Sequence, residues 1–286
     1  MIRSFLIFLI AASIAGCATV DSRPAQTTLD KIKASNSVTL GYREGAVPFA
    51  FLDKSGKPIG YSVELCERVI EGIRKHLELP ALAIKWVPVS GETRFQQVLS
   101  GEVDLECGTT TITLSRQAQV DFSLMTFLDG GAFLARAGPA PKALDELQRM
   151  SVAVSTGTTT EDHLRKVLEK YKINLELVPV KSHAEGIALL REGKVALYAS
   201  DRTVLIGLAL SDPQASGFVL PDLMLSYEPY GLMLRRDPDF RLAINRVLAG
   251  IYRSGEIIDI YRRWFGPLGE PTDLLKAMYL IQALPE

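Results

Sequence analysis

Between Arg94 and Ser123 the chain sets a Thr-rich loop, Gly108-Thr109-Thr110-Thr111, a few residues ahead of Arg116. The hydroxyls and free backbone N–H groups of such a loop donate hydrogen bonds. The Arg116 guanidinium is a planar fork of donors that matches a carboxylate. The combination is suited to holding a small molecule that carries a carboxylate. A second signal of this kind is Gly157-Thr158-Thr159-Thr160, where a threonine cap opens a helix whose N-terminal N–H groups favour an anion. Catalytic constellations are weaker. Asp104 and Glu106 alternate on one strand, and paired carboxylates can do acid–base work. In the strand of a packed lobe, however, a partner for an N–H group and a buried or edge acid are the simpler roles. There is no Walker loop, no nucleophile elbow and no Cys/His metal spacing, so neither a cofactor nor a metal is expected.

The elements that must position these residues alternate. Val38–Arg43 reads as a strand, Phe49–Tyr61 as a hairpin around Asp53–Pro58, and Ser62–Leu79 as a helix with apolar positions at Val63, Cys66, Val69, Ile70 and Ile73. A strand over Leu82–Val89, a helix over Glu92–Ser100 stopped by Gly101, and a strand over Val103–Cys107 follow. A second unit repeats the rhythm: strands at 151–155, 175–180 and 196–200, with helices from Gly157, Ala184 and Asp201. A strand over 228–235 and helices over 241–254 and 256–265 close the chain. This order predicts an α/β fold of two lobes, each a mainly parallel sheet flanked by helices. The expected lobes are 29–129 plus 230–286, and 130–229. The chain crosses near 128–133 and 227–232, where Gly130, Gly131 and Gly231 suit a hinge. Ligands of open α/β sheets sit at the carboxyl ends of strands, so the loops after Arg43, Cys107, Ser155, Val180 and Ser200 should line a cleft.

The compartment is read from the start of the chain. Arg3 followed by the apolar run Ser4–Ala15 is an export signal over 1–16. Ile14-Ala15-Gly16-Cys17 resembles a bacterial lipobox, which makes Cys17 a lipidation candidate and 17–28 a tether. Plain cleavage after Ala18 is the alternative. No later run is long and apolar enough to span a membrane; Leu274–Leu284 is too short and too polar, which argues against a membrane-bound sensor. A net charge of −1 over 286 residues gives no basic balance for nucleic acid. After processing, Cys66 and Cys107 remain, and an exported compartment permits either a bridge or two buried thiols.

The ordered pieces Leu29-Asp30-Lys31-Ile32, Tyr42-Arg43-Glu44, Gly60-Tyr61-Ser62, Asp104–Thr111, Arg116-Gln117, Gly157-Thr158-Thr159, Tyr230-Gly231, Ser254-Gly255-Glu256 and Trp264-Phe265 resemble the solute-binding proteins of amino-acid ABC transporters. The likeness is strongest to the glutamate/aspartate binders. It implies a monomeric periplasmic clamp of the hinge-closing type II fold, which hands an acidic amino acid to an inner-membrane ABC permease. It places Arg116 on the α-carboxylate with Thr111 and Thr159, and Asp201 on the α-ammonium beside the 108–109 backbone, with Thr109 keeping a serine's hydroxyl. It places Arg43, Arg94 and His183 around a side-chain carboxylate. Gly91 departs from the pattern, standing where these relatives carry a ligand-contacting serine. Three arginines against Asp201 alone call for an acidic ligand, because an uncompensated excess is costly in a closed cleft. The alternatives are a dehydratase on the same fold, of the cyclohexadienyl or arogenate type, and a binder of another polar amino acid.

Overall fold

The computed structural model describes residues 27–212 and 217–286. The export signal, Cys17 and the tether through residue 26 lie outside the described residues. Helix α1 (Thr28–Ser35) starts from a capping box between Thr27 and Asp30 and ends at Asn36 in the left-handed conformation. Then come β1 (Ser37–Arg43), the hairpin β2 (Phe51–Leu52) and β3 (Pro58–Ile59), α2 (Tyr61–His76), β4 (Ala83–Val89), α3 (Arg94–Ser100), β5 (Leu105–Glu106) and the single turn α4 (Leu114–Gln117). β1 pairs in parallel with β4 and β5.

A 16-residue strand, β6 (Asp121–Arg136), carries the chain onward. The next elements are β7 (Ser151–Ser155), α5 (Thr159–Tyr171), β8 (Glu176–Val180), α6 (His183–Arg191), β9 (Leu197–Asp201), α7 (Arg202–Ser211) and β10 (Phe218–Val219). β7 pairs in parallel with β8 and β9. The return strand β11 (Ser226–Leu234) is followed by α8 (Pro238–Ser254), α9 (Glu256–Phe265) and α10 (Asp273–Ile281).

The two lobes share one hydrogen-bonded path, β4-β1-β5-β11-β6-β9-β7-β8, with β10 also on β6. The parallel pairing expected of each lobe holds for the outer strands, while β6 and β11 are antiparallel to each other and to the strands they join. Gly130-Gly131 lies inside β6 rather than ending it. A Cβ on Gly131 would sit 2.6 Å from the Ser226 hydroxyl, so the glycine serves close strand approach.

The larger core lies under β1, β5 and the first half of β6. There Phe49, Tyr61, Phe127, Tyr230 and Phe265 form one aromatic cluster, with Phe49–Phe127 and Phe127–Phe265 ring centroids at 4.9 and 5.0 Å. Cys66 of α2 is bridged to Cys107 just past β5, which closes the choice that spacing leaves open. The bridge, with the Ser62 hydroxyl donating to the Gly108 carbonyl (2.8 Å), holds the root of the Thr-rich loop against α2. Smaller cores around Val180, Tyr198 and Leu205, and around Val154, Leu164 and Leu197, cover the two faces of the second sheet. Among the described residues no helix is long and apolar enough to cross a membrane.

Candidate ligand-binding site

Element ends deliver the side chains. Arg43 ends β1, Arg94 opens α3, Thr109 and Thr111 follow β5, Thr159 opens α5, His183 opens α6 and Asp201 ends β9. The local caps explain why the helices begin there. Thr158 accepts from the Glu161 N–H and donates to the Ser155 carbonyl, and Ser182 accepts from the Glu185 N–H. His183 therefore stands next to the cap and is free of that duty. Asp201 occupies the cap position of α7 but makes no side-chain cap bond.

These seven expected residues line one narrow cavity between the lobes, together with Thr158, Thr160 and Ser200. The open space left within this ring is about 10 Å³, so the lobes meet closely there. Arg116 is the exception. It stands behind the wall, over the Phe95 ring, and donates from Nη1 to the Thr111 carbonyl (2.9 Å).

Arg43 and Arg94 are almost wholly buried. Arg94 donates from Nη1 to the Thr110 hydroxyl (2.9 Å) and from Nη2 across the cleft to the Gly157 carbonyl (3.2 Å). Its Nε is buried with no partner among the described residues. Burial first, then the charges of Arg43 and Arg116, lower its pKa to about 9, so it stays a cation at neutral pH. His183 pairs through Nδ1 with the Tyr198 hydroxyl (2.7 Å), and its buried Nε2 has no partner among the described residues. Burial, reinforced by Arg43 and Arg94, lowers the His183 pKa to about 3. It is a neutral imidazole beside two cations.

Two acids alter the charge sum. Glu106 is completely buried, and both its carboxylate oxygens lack a hydrogen-bond partner among the described residues. Burial raises its pKa against the pull of Arg94 and Arg43. Asp104, two residues earlier on the same strand, is structural: it accepts from the Thr39 N–H and pairs with Lys31 and Arg235. The second new acid, Glu228 of β11, accepts at Oε2 from the hydroxyls of Thr111 (2.5 Å) and Thr159 (2.6 Å) and is held at Oε1 by Ser226. The two threonine protons expected to face a ligand carboxylate are thus directed to an internal one. Three arginines therefore face Asp201, Glu106 and Glu228, and the simple excess of three positives over one negative does not hold.

Asp201 accepts from the Tyr230 hydroxyl (2.6 Å) and the Thr160 hydroxyl (3.3 Å). Tyr230 also reaches Asp129 on β6 (3.2 Å), which is otherwise held by the N–H groups of Gly130 and Thr203. Loss of solvent raises both carboxyls, Asp129 to about 6 and Asp201, which also feels the charges of Asp129 and Glu228, to about 7. Such a pair is ready to receive one cationic group.

A ring of arginine, threonine, histidine and aspartate side chains, set between two α/β lobes on the antiparallel pair β6 and β11, is a candidate binding cleft. The family model for bacterial extracellular solute-binding proteins, family 3, matches residues 38–267. The chain belongs to this family. As a family 3 solute-binding protein it is 35% identical over 240 residues to the L-glutamate/L-aspartate-binding protein of Pseudomonas aeruginosa, covering 83% of this chain and 80% of the relative. The glutamate/aspartate import solute-binding protein of Escherichia coli K12 is 32% identical over 260 residues, covering 90% and 86%. Among solved structures, an ancestral arginine-binding protein bound to glutamine superposes with a TM-score of 0.72 at 26% identity, over 81% of this chain and 98% of that one.

Sequence reading of this family 3 protein missed Thr110, Glu228, Asp129 and Tyr230 as parts of the cleft wall. Glu228 carried a usable signal, because an acid inside an otherwise apolar strand next to a hinge needs buried donors.

Proposed function

We propose that this protein binds L-glutamate and L-aspartate in the cleft and delivers them to an ABC permease in the inner membrane. The observation that carries the reading is the convergence of Arg43, Arg94, neutral His183 and Asp201 on one cleft. The buried Arg94 guanidinium, whose Nε has no partner among the described residues, calls for an anion, and relatives named for glutamate and aspartate align over 83% and 90% of this chain. In the proposed complex Asp201 takes the α-ammonium, and the α-carboxylate meets the Thr109 hydroxyl and the backbone N–H groups at Thr111 and Thr159, with Arg116 acting from behind the wall. Arg43, Arg94 and His183 read the side-chain carboxylate.

The same reading assigns 29–129 plus 230–286 to one lobe and 130–229 to the other. Ligand bridging both stabilises the closed state, so binding works by population shift. We further infer an exported monomer that acts in the periplasm, with Cys17 as its lipid anchor, and no catalytic turnover. A thermal-shift screen over the twenty amino acids tests this function. Stabilisation by glutamate and aspartate is expected, and a response to lysine, leucine or glutamine without them would overturn it. Incubation with prephenate or arogenate should leave both unchanged.

A further inference from the structure

We propose that Gly91 sets how far the two lobes close, and through closure the affinity for the ligand. The inference rests on the clamp reading above, but not on which amino acid is bound. Gly91 lies between β4 and α3, on the rim of the cleft, and is buried. A Cβ built on it would lie 2.3 Å from the Thr156 carbonyl oxygen on the opposite lobe. The approach is mutual: a Cβ on Gly157, which also has a φ of +73°, would lie 2.7 Å from the Gly91 carbonyl oxygen. Both obstructed atoms are backbone, so neither can swing aside as a side-chain tip would. The loop at 90–93 therefore seats directly on 156–158. Only at this separation does Arg94, three residues on, reach the Gly157 carbonyl at 3.2 Å.

Loss of a ligand-contacting hydroxyl is one consequence of glycine here. The geometry points to another, a closer backbone contact that any side chain would prop open. Alanine and serine separate the two. If the missing hydroxyl governs binding, Gly91→Ser tightens it and Gly91→Ala leaves it alone. If closure governs, both substitutions weaken it to a similar degree.

The test is titration calorimetry with L-glutamate and L-aspartate on wild type, Gly91→Ala and Gly91→Ser. It is paired with distance measurement by electron–electron resonance between nitroxides at the exposed positions Gln119→Cys and Lys166→Cys. Both variants should bind about ten- to a hundredfold more weakly, the scale of forcing extra atoms into a packed contact. Both should also show a longer liganded inter-nitroxide distance than wild type. The ligand-free melting temperature should stay unchanged, since the new atoms face the other lobe and not their own core. Binding by Gly91→Ser as tight as wild type, or an unaltered liganded distance in both variants, would overturn the proposal. If neither acid closes the wild-type cleft, the acidic-ligand reading falls. The same comparison then runs with whichever of the twenty amino acids does close it.

Discussion

Replacing Arg94 by methionine separates the cost of the site from its use. In the structure the guanidinium is 2% exposed, and its pKa falls from 12.5 to about 9. That lowering corresponds to about 5 kcal/mol by which the fold disfavours this cation. Methionine removes that penalty but leaves the Thr110 hydroxyl and the Gly157 carbonyl without their donor, at about 1–3 kcal/mol each. The two effects largely offset, so the ligand-free unfolding free energy should change by no more than about 2 kcal/mol. Binding should change far more. A ligand carboxylate desolvated beside Arg94 loses its partner, at about 2–5 kcal/mol, or roughly thirtyfold to several thousandfold in Kd. Chemical denaturation of the free protein and calorimetry with glutamate measure the two numbers separately. Affinity within threefold of wild type would refute the placement of Arg94 at the ligand. A stability loss above about 4 kcal/mol would refute the claim that its charge is held at a cost.

Three further outcomes follow from the same contacts. Glu228→Ala strips the acceptor from two buried hydroxyls and should lower the unfolding free energy by about 3 kcal/mol, with Glu228→Gln losing less; equal stability of wild type and the alanine variant in denaturant melts would remove the bridge from the account. The Cys66–Cys107 bridge spans 41 residues, so reduction should cost about 4 kcal/mol in the chain-entropy model and weaken binding by freeing the 108–111 loop, and a reduced protein that melts unchanged would contradict this. Asp201 must be ionised to take an ammonium and titrates near 7, so affinity should be full above about pH 7 and decline by up to tenfold per unit below it. A flat calorimetric profile from pH 5 to 8 would take Asp201 out of that role. The free protein follows a different course. Asp201, raised from 3.8 on folding, gives stability at low pH that is lost as pH rises through about 7. His183, lowered from 6.5 to about 3, gives stability above 6.5 that is lost as pH falls through about 3.

What the sequence makes legible is local. The apolar spacing of α2 marks the residues it buries, and Gly101 stops α3 in the left-handed conformation, φ 83°. The strand-end rule brings Arg43, Thr109, Thr111 and Asp201 to one cleft. What escapes it is set by distant partners. Thr111 and Glu228 are 117 residues apart, so no local pattern tells that the hydroxyl serves an internal carboxylate. Arg116 points to a carbonyl of its own loop because Phe95 offers a ring face beside it. The sequence reading assigns no strand over 121–136 and takes Gly130-Gly131 for a hinge, because glycine signals a bend as readily as a tight strand contact. Helix α1 rests on its capping box and on Ile32 packed into the core, with little apolar periodicity to announce it.

The central claim is that Arg43, Arg94 and His183 read a negative charge on the ligand side chain. Glutamate and glutamine differ there by one charge and almost no volume. Calorimetry of the two against the wild-type protein at pH 7.5 should give one site per chain and an affinity for glutamate at least about a hundredfold higher, the scale of one buried charge pair. Equal affinities, or tighter binding of glutamine, would contradict the account.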